Sequence, residues 1–236
     1  MKYSIGIDFG TLSGRALLVE VETGREIATE IKNYTHGVMD EYMPDGKTKL
    51  PHDWALQHPA DYLEVLRETV PAVLKKANVS ADDVIGVSVD FTACTMLPIL
   101  ADGTPLCFLD EYKNAPHAYV KLWKHHAAQP QADRINELAR KKDPQRLARY
   151  GGKVSSEWML PKALQILEEA PDIYKKADRL IEAGDWIVMR LTGLERRNAC
   201  AAGYKSMWHK AHGYPSNEFF AEINKDFEYV VDEKLS

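Results

Sequence analysis

The chain has 236 residues, with 30 lysines and arginines against 35 aspartates and glutamates, a formal charge of −5. Hydrophobic residues make up 45% and charged residues 28%, which excludes wholesale disorder, collagen and low-complexity sequence. The acidic balance excludes a non-specific nucleic-acid binder, which needs a basic surface. Three cysteines with no CxxC pair and no even framework indicate a reduced, cytoplasmic protein. No apolar run approaches the ~18 residues of a membrane span, so no membrane partner is expected.

Residues 3–8 (YSIGID) alternate with period two and read as a strand. Tyr3, Ile5 and Ile7 take one face; Ser4, Gly6 and Asp8 take the other. Phe9-Gly10-Thr11-Leu12-Ser13-Gly14 follows as a tight turn. Residues 15–21 and 26–31 give two more strands, so the chain opens as an antiparallel meander. Residues 33–58 form a long polar connection. Residues 59–77 carry apolar residues at helical spacing, with Pro59 suited to the first helical position and Pro71 expected to kink or split the run. Residues 83–90 (DVIGVSVD) read as a strand buried on both faces of a parallel sheet.

Shorter strands are expected at 95–100 and 105–109. Helices are expected over about 116–128, 130–140, 144–150 and 156–170. A strand at 178–182 precedes a helix at 184–191 that ends at Gly193, and the tail from 198 is ambiguous. A right-handed crossover makes the 83–90 strand parallel to the first. The result is an α/β, ribonuclease-H-like plan: an antiparallel meander, then parallel strands flanked by helices. In such sheets ligands sit beyond the carboxyl ends of parallel strands, where Asp8 and Asp90 lie.

Three segments carry candidate chemistry. In the first, the turn after Asp8 offers backbone N–H groups to an anion. Thr11 and Ser13 add hydroxyls, and Arg15 adds a forked cation. Asp8 suits Mg²⁺ held through water. The plain alternative is a polar hairpin tip. The second segment is Asp90-Phe91-Thr92-Ala93-Cys94-Thr95, an acid and hydroxyls suited to a polyol; its plain alternative is a satisfied strand end. The third is Lys205 among small and aromatic residues, reaching a cleft or simply solvated. His125 and His126 read as surface residues. His52, His58, His209 and His212 lack zinc spacing. No GxSxG and no Walker P-loop occurs.

Residues 6–15 (GIDFGTLSGR) closely resemble the first phosphate motif of the FGGY carbohydrate kinases, of the sugar kinase/Hsp70/actin superfamily. Residues 86–95 (GVSVDFTACT) are similar to that family's sugar-contacting segment in the form the ribulokinases carry. Segments 108–114, 117–124, 151–158 and 183–186 continue the likeness, which covers essentially the whole chain.

The resemblance implies an N-terminal sugar kinase domain over 1–236 and transfer of the γ-phosphoryl of ATP, with Mg²⁺, to the terminal hydroxyl of L-ribulose in arabinose breakdown. It places Asp8 on Mg²⁺ or its water and Gly10, Thr11, Ser13 and Arg15 near the phosphates. It sets the Ala93 backbone and Lys205 against the sugar, with Asp90, Phe91 and Thr92 lining or supporting that site. The family's general-base aspartate and adenine pocket are expected beyond Ser236, so this chain holds no catalytic residue of its own and alone is expected to be inactive. The full-length enzyme is a candidate homo-oligomer. Two rivals stand beside this reading. One is a ribonuclease-H-like nuclease using Asp8 and Asp90 for metals. The other is a non-catalytic sugar- or nucleotide-binding module.

Overall fold

The computed structural model describes residues 1–235. The strands are β1 (Tyr3–Phe9), β2 (Ser13–Glu20), β3 (Glu26–Asn33), β4 (Leu56–Gln57), β5 (Val84–Phe91), β6 (Met96–Ile99), β7 (Val120–Lys121) and β8 (Arg179–Glu182). The helices are α1 (Pro59–Ala77), α2 (Gln129–Lys142), α3 (Pro144–Ala148), α4 (Met159–Glu169), α5 (Pro171–Lys176), α6 (Ala183–Thr192), α7 (Ala199–Lys205) and α8 (Asn217–Ile223). They fall into two compact units, one of residues 1–38 and 57–92, the other of residues 39–56 and 93–235. Among the described residues no helix is long and apolar enough to cross a membrane.

The first unit is a four-stranded sheet in the order β3-β2-β1-β5. β1 pairs antiparallel with β2 and parallel with β5, and β2 pairs antiparallel with β3. This is the expected meander and crossover. Ile5, Ile7 and Phe9 of β1 and Ala16 and Leu18 of β2 are buried, and α1 packs on β2 and β3. Gly14 is required for that packing. A Cβ there would lie 2.5 and 2.6 Å from the two Cγ atoms of Val65, far inside van der Waals contact.

Two expectations are corrected in this unit. Pro71 does not split α1, which is one continuous helix through it. Pro71 and Arg67, four residues before it, are both exposed, so the carbonyl deprived of its helical partner faces water. β5 is not buried on both faces. It forms the sheet edge, with Ile85 and Val87 62% and 54% exposed, because α1 lies over β2 and β3 instead.

The second unit holds the sheet β4-β7-β6-β8. β6 pairs antiparallel with β7 at Met96↔Lys121 and with β8 over Met96↔Glu182 to Ile99↔Arg179. A core of Met96, Leu106, Leu160, Leu164, Ile166 and Phe220 packs around it. Trp186, fully buried, donates its indole N–H to the Gly103 carbonyl at 2.8 Å. Gly193 ends α6 in the left-handed conformation, φ 71°, as a helix terminator should.

Residues 105–109 form a 3₁₀ turn, Leu106–Phe108, rather than a strand. The stretch expected as a helix over 116–128 is a 3₁₀ turn (Pro116–Ala118), then β7, then turns. Pairing with β6 overrides helical propensity there. In consequence His125 is fully buried rather than on the surface. Its Nδ1 accepts from the Ala55 N–H at 3.3 Å, and its Nε2 meets Gln165 Oε1 at 2.9 Å.

Candidate active site

In the first unit the hairpin between β1 and β2 is closed by the Gly10 N–H donating to the Ser13 carbonyl at 2.9 Å. That N–H is therefore committed to the turn, and Gly10 and Gly14 are not among the glycines at positive φ. The three next carbonyls are all tied to the body of the unit. Gly10 O accepts from the Tyr34 hydroxyl at 3.0 Å, Thr11 O from Gln57 Nε2 at 2.8 Å and Leu12 O from the Tyr34 N–H at 3.0 Å. In a planar trans peptide the N–H points opposite to the C=O. The amides of Thr11, Leu12 and Ser13 are thus turned away from Tyr34 and Gln57, on the outer side of the turn. Leu12 at the tip is 62% exposed. Tyr34 and Gln57 both lie in the long polar connection and carry no motif, so nothing in the sequence signals this bracing. Burial pushes the Tyr34 phenol well above its ordinary value, which keeps it a hydrogen-bond donor.

Beside the hairpin three charged residues form a row across the sheet. Arg15 pairs with Asp8 in the β1–β2 register, and Asp8 pairs with Asp90 in the β1–β5 register. All three are exposed. Directly opposed cross-strand positions sit about 5 Å apart on one face, so two carboxylates and a guanidinium share one patch. Gly6 and Ser88, paired in the next row of that face, leave it low. This oxygen-rich, water-exposed donor set fits Mg²⁺ held through its waters. Phe91 is stacked on Phe9, centroids 4.9 Å apart, and the Thr92 N–H donates to the Phe9 carbonyl at 3.2 Å. Phe91 and Thr92 are thus pinned to β1, next to Asp90.

The second unit carries Ala93 and Lys205. Ala93 is exposed and leads into Cys94, which is buried and has φ 63°, a conformation costly for any residue but glycine. Lys205 is half-buried at the end of α7, its ammonium 4.4 Å from the Tyr204 ring centre and 5.4 Å from that of Trp158. It lines a groove of about 610 Å³ with Arg149, Tyr150, Trp158, Tyr204 and Trp208. Burial pushes the Cys94 thiol up to about 12, and Lys205 is near enough to pull against that rise. Lys205 thus lies within electrostatic reach of Cys94, the residue after Ala93. The aromatic wall joins residues 50 positions apart in sequence, which no local pattern could reveal.

The FGGY family of carbohydrate kinases, N-terminal domain, matches residues 3–210. The chain belongs to the FGGY carbohydrate kinase family. It is 56% identical over 234 residues to a ribulokinase of Halalkalibacterium halodurans, covering 99% of this chain and 42% of that one. Identity is 57% to a ribulokinase of Geobacillus thermodenitrificans, again over 99% of this chain and 41% of the relative. The chain is thus a homologue of ribulokinases and spans about two fifths of their length. Among solved structures, a xylulose kinase from Lactobacillus acidophilus superposes with TM-score 0.70 at 14% identity, over 94% of this chain and 40% of that one. One from Rhodospirillum rubrum gives 0.69 at 20%, over 94% and 41%. These likenesses establish the sugar-kinase fold.

Proposed function

We propose that this chain supplies the phosphate-gripping hairpin and part of the sugar site of a cytoplasmic L-ribulokinase, which phosphorylates the terminal hydroxyl of L-ribulose in arabinose breakdown. The observation that carries this reading is the 56–57% identity to ribulokinases over nearly the whole chain. The geometry supports it. The outward amides of Thr11, Leu12 and Ser13, with the Thr11 and Ser13 hydroxyls and Arg15, suit the terminal phosphates of a nucleotide. Asp8 would hold the waters of Mg²⁺. Bound MgATP supplies the phosphoryl group. The protein's part is positioning and charge stabilisation, since phosphoryl transfer leaves little else to do. Asp90, Phe91 and Thr92 support the strand end that leads into Ala93, whose backbone meets the sugar together with Lys205.

The chain spans about two fifths of its ribulokinase relatives, so alone it is expected to give no turnover of L-ribulose above a blank. Titration calorimetry tests the sugar half of the proposal. Saturable binding of L-ribulose, weakened at least tenfold by Lys205→Ala, is the expected result. Binding unchanged by that substitution removes Lys205 from the site. The adjacency of Asp8 and Asp90 also suits a two-metal nuclease. Mn²⁺-dependent cleavage of an RNA–DNA hybrid would favour that rival, and the kinase reading forbids it.

A further inference from the structure

A lone lysine stands inside the apolar run of α4 (MLPKALQIL), where a solvated cation has no place. Lys162 is completely buried. Its ammonium donates to the carbonyls of Cys94 at 2.6 Å and Leu122 at 2.8 Å, and reaches that of Lys121 at 3.4 Å. Three carbonyls around one ammonium satisfy all three of its donors. Of the three, the Cys94 carbonyl is the closest, and Cys94 is the residue held at φ 63°.

The same turn is gripped from the other side. The Glu182 carboxylate, 8% exposed at the end of β8, lies against the backbone N–H groups of Thr95 and Cys94, which favour its charged form, while its Oε1 is buried without a hydrogen-bond partner. The next residue, Ala183, donates its N–H to the Thr95 carbonyl at 2.7 Å. Two opposite buried charges thus flank the backbone of one short turn, the cation bonded to its carbonyl and the anion set against its amides. Burial pulls the lysine down and pushes the glutamate up, and each charge holds the other's shift back. Burying both is costly, and a hydrophobic pair would fill the space more cheaply. What the charges add is a fixed backbone at residues 94 and 95. A strained non-glycine conformation persists only when its surroundings over-determine it.

We propose that Lys162 and Glu182 are positioning residues that lock the Cys94–Thr95 turn, and so fix how the preceding Ala93 backbone is presented to the sugar. This rests on the sugar-site reading given above. Neither residue touches the sugar. They act through the turn, and the strain at Cys94 is held in place by their contacts with it.

The test uses Lys162→Met, the nearly isosteric Glu182→Gln and the double variant Lys162→Met/Cys94→Gly, with L-ribulose titrations and backbone amide hydrogen exchange. In Lys162→Met the sugar affinity falls at least tenfold, and the Thr95 and Ala183 amides exchange at least tenfold faster than those in the middle of α4. Glycine tolerates φ 63° without a clamp, so Cys94→Gly in the Lys162→Met background recovers most of the lost affinity. A merely structural lysine would show no such rescue. Glu182→Gln, which keeps its size, speeds exchange at Cys94 and Thr95 and serves if Lys162→Met does not fold. Unchanged exchange at residues 94 and 95 in a folded variant overturns the clamp, as does unchanged affinity. If the unmodified chain binds no L-ribulose, the sugar reading fails, while the exchange data still judge the clamp.

Discussion

Around the candidate site the two units treat charge in opposite ways, although Glu20 and Asp61 of the first unit are buried as well. The first displays it: Arg15, Asp8 and Asp90 stand exposed in a row across an open sheet. The second hides it, with Lys121, Lys162, His125 and Glu182 all in the interior. Exposed groups can be removed with little effect on folding, whereas a buried partner leaves desolvated atoms behind. Binding and stability are therefore separable in the first unit and entangled in the second.

The largest effect that would sharpen this contrast is at Arg146. Its guanidinium is 8% exposed and donates to Asp143 at 2.8 Å and to the carbonyls of Met207 and Gly213 at 2.8 Å each. Arg146→Met leaves two carbonyls without their charged donor and is expected to cost about 3 kcal/mol in urea denaturation. A loss below about 1 kcal/mol would mean that the 207–213 loop holds itself.

The next effect is acid sensitivity. Burial pulls His117 down to about 4. Between about pH 6.5 and pH 4 the unfolded chain therefore takes up a proton that the folded one refuses, and stability falls with acid. Glu182, raised by burial, works in the opposite direction over part of the same range, so the comparison needs a variant. Relative to His117→Gln, the unmodified protein should lose about 2 kcal/mol between pH 7.5 and pH 4.5. A pH-independent difference would show that His117 is not held neutral by the fold.

Lys205→Ala comes third. The expected tenfold loss of L-ribulose affinity is about 1.4 kcal/mol, with less than about 1 kcal/mol of stability lost from its contacts with Tyr204 and Trp158. The smallest stability change is expected in the first unit. Asp8→Asn and Asp90→Asn should each leave the urea midpoint within about 0.5 kcal/mol of the parent, while Asp8→Asn weakens MgATP binding. Unfolding by either would break the contrast.

The first unit was largely legible because its sequence is periodic. The alternation in YSIGID, the helical spacing of residues 59–77 and the crossover rule placed β1, α1 and β5, while the turn drawn over residues 9–14 took in Ser13 and Gly14, which belong to β2. Its errors came from tertiary context: whether β5 has a neighbour on its outer side is not encoded in DVIGVSVD. The second unit was less legible. Residues 116–128 carry helix-compatible residues, but β pairing with Met96 decides their fate. Of the candidate site, the hairpin, Asp90 and Lys205 stood out by motif. Tyr34 and Gln57, which orient the hairpin, did not, since their roles come from where a long connection returns. Lys162 had a readable sign, a single cation in an apolar helical run.

The most direct test of the account is an amide NMR titration of the chain with L-ribulose. The account predicts saturable shifts concentrated at residues 93–95 and around Lys205, with the middle of α1 unmoved. Saturable shifts confined to other surfaces, or none at millimolar sugar, would contradict it.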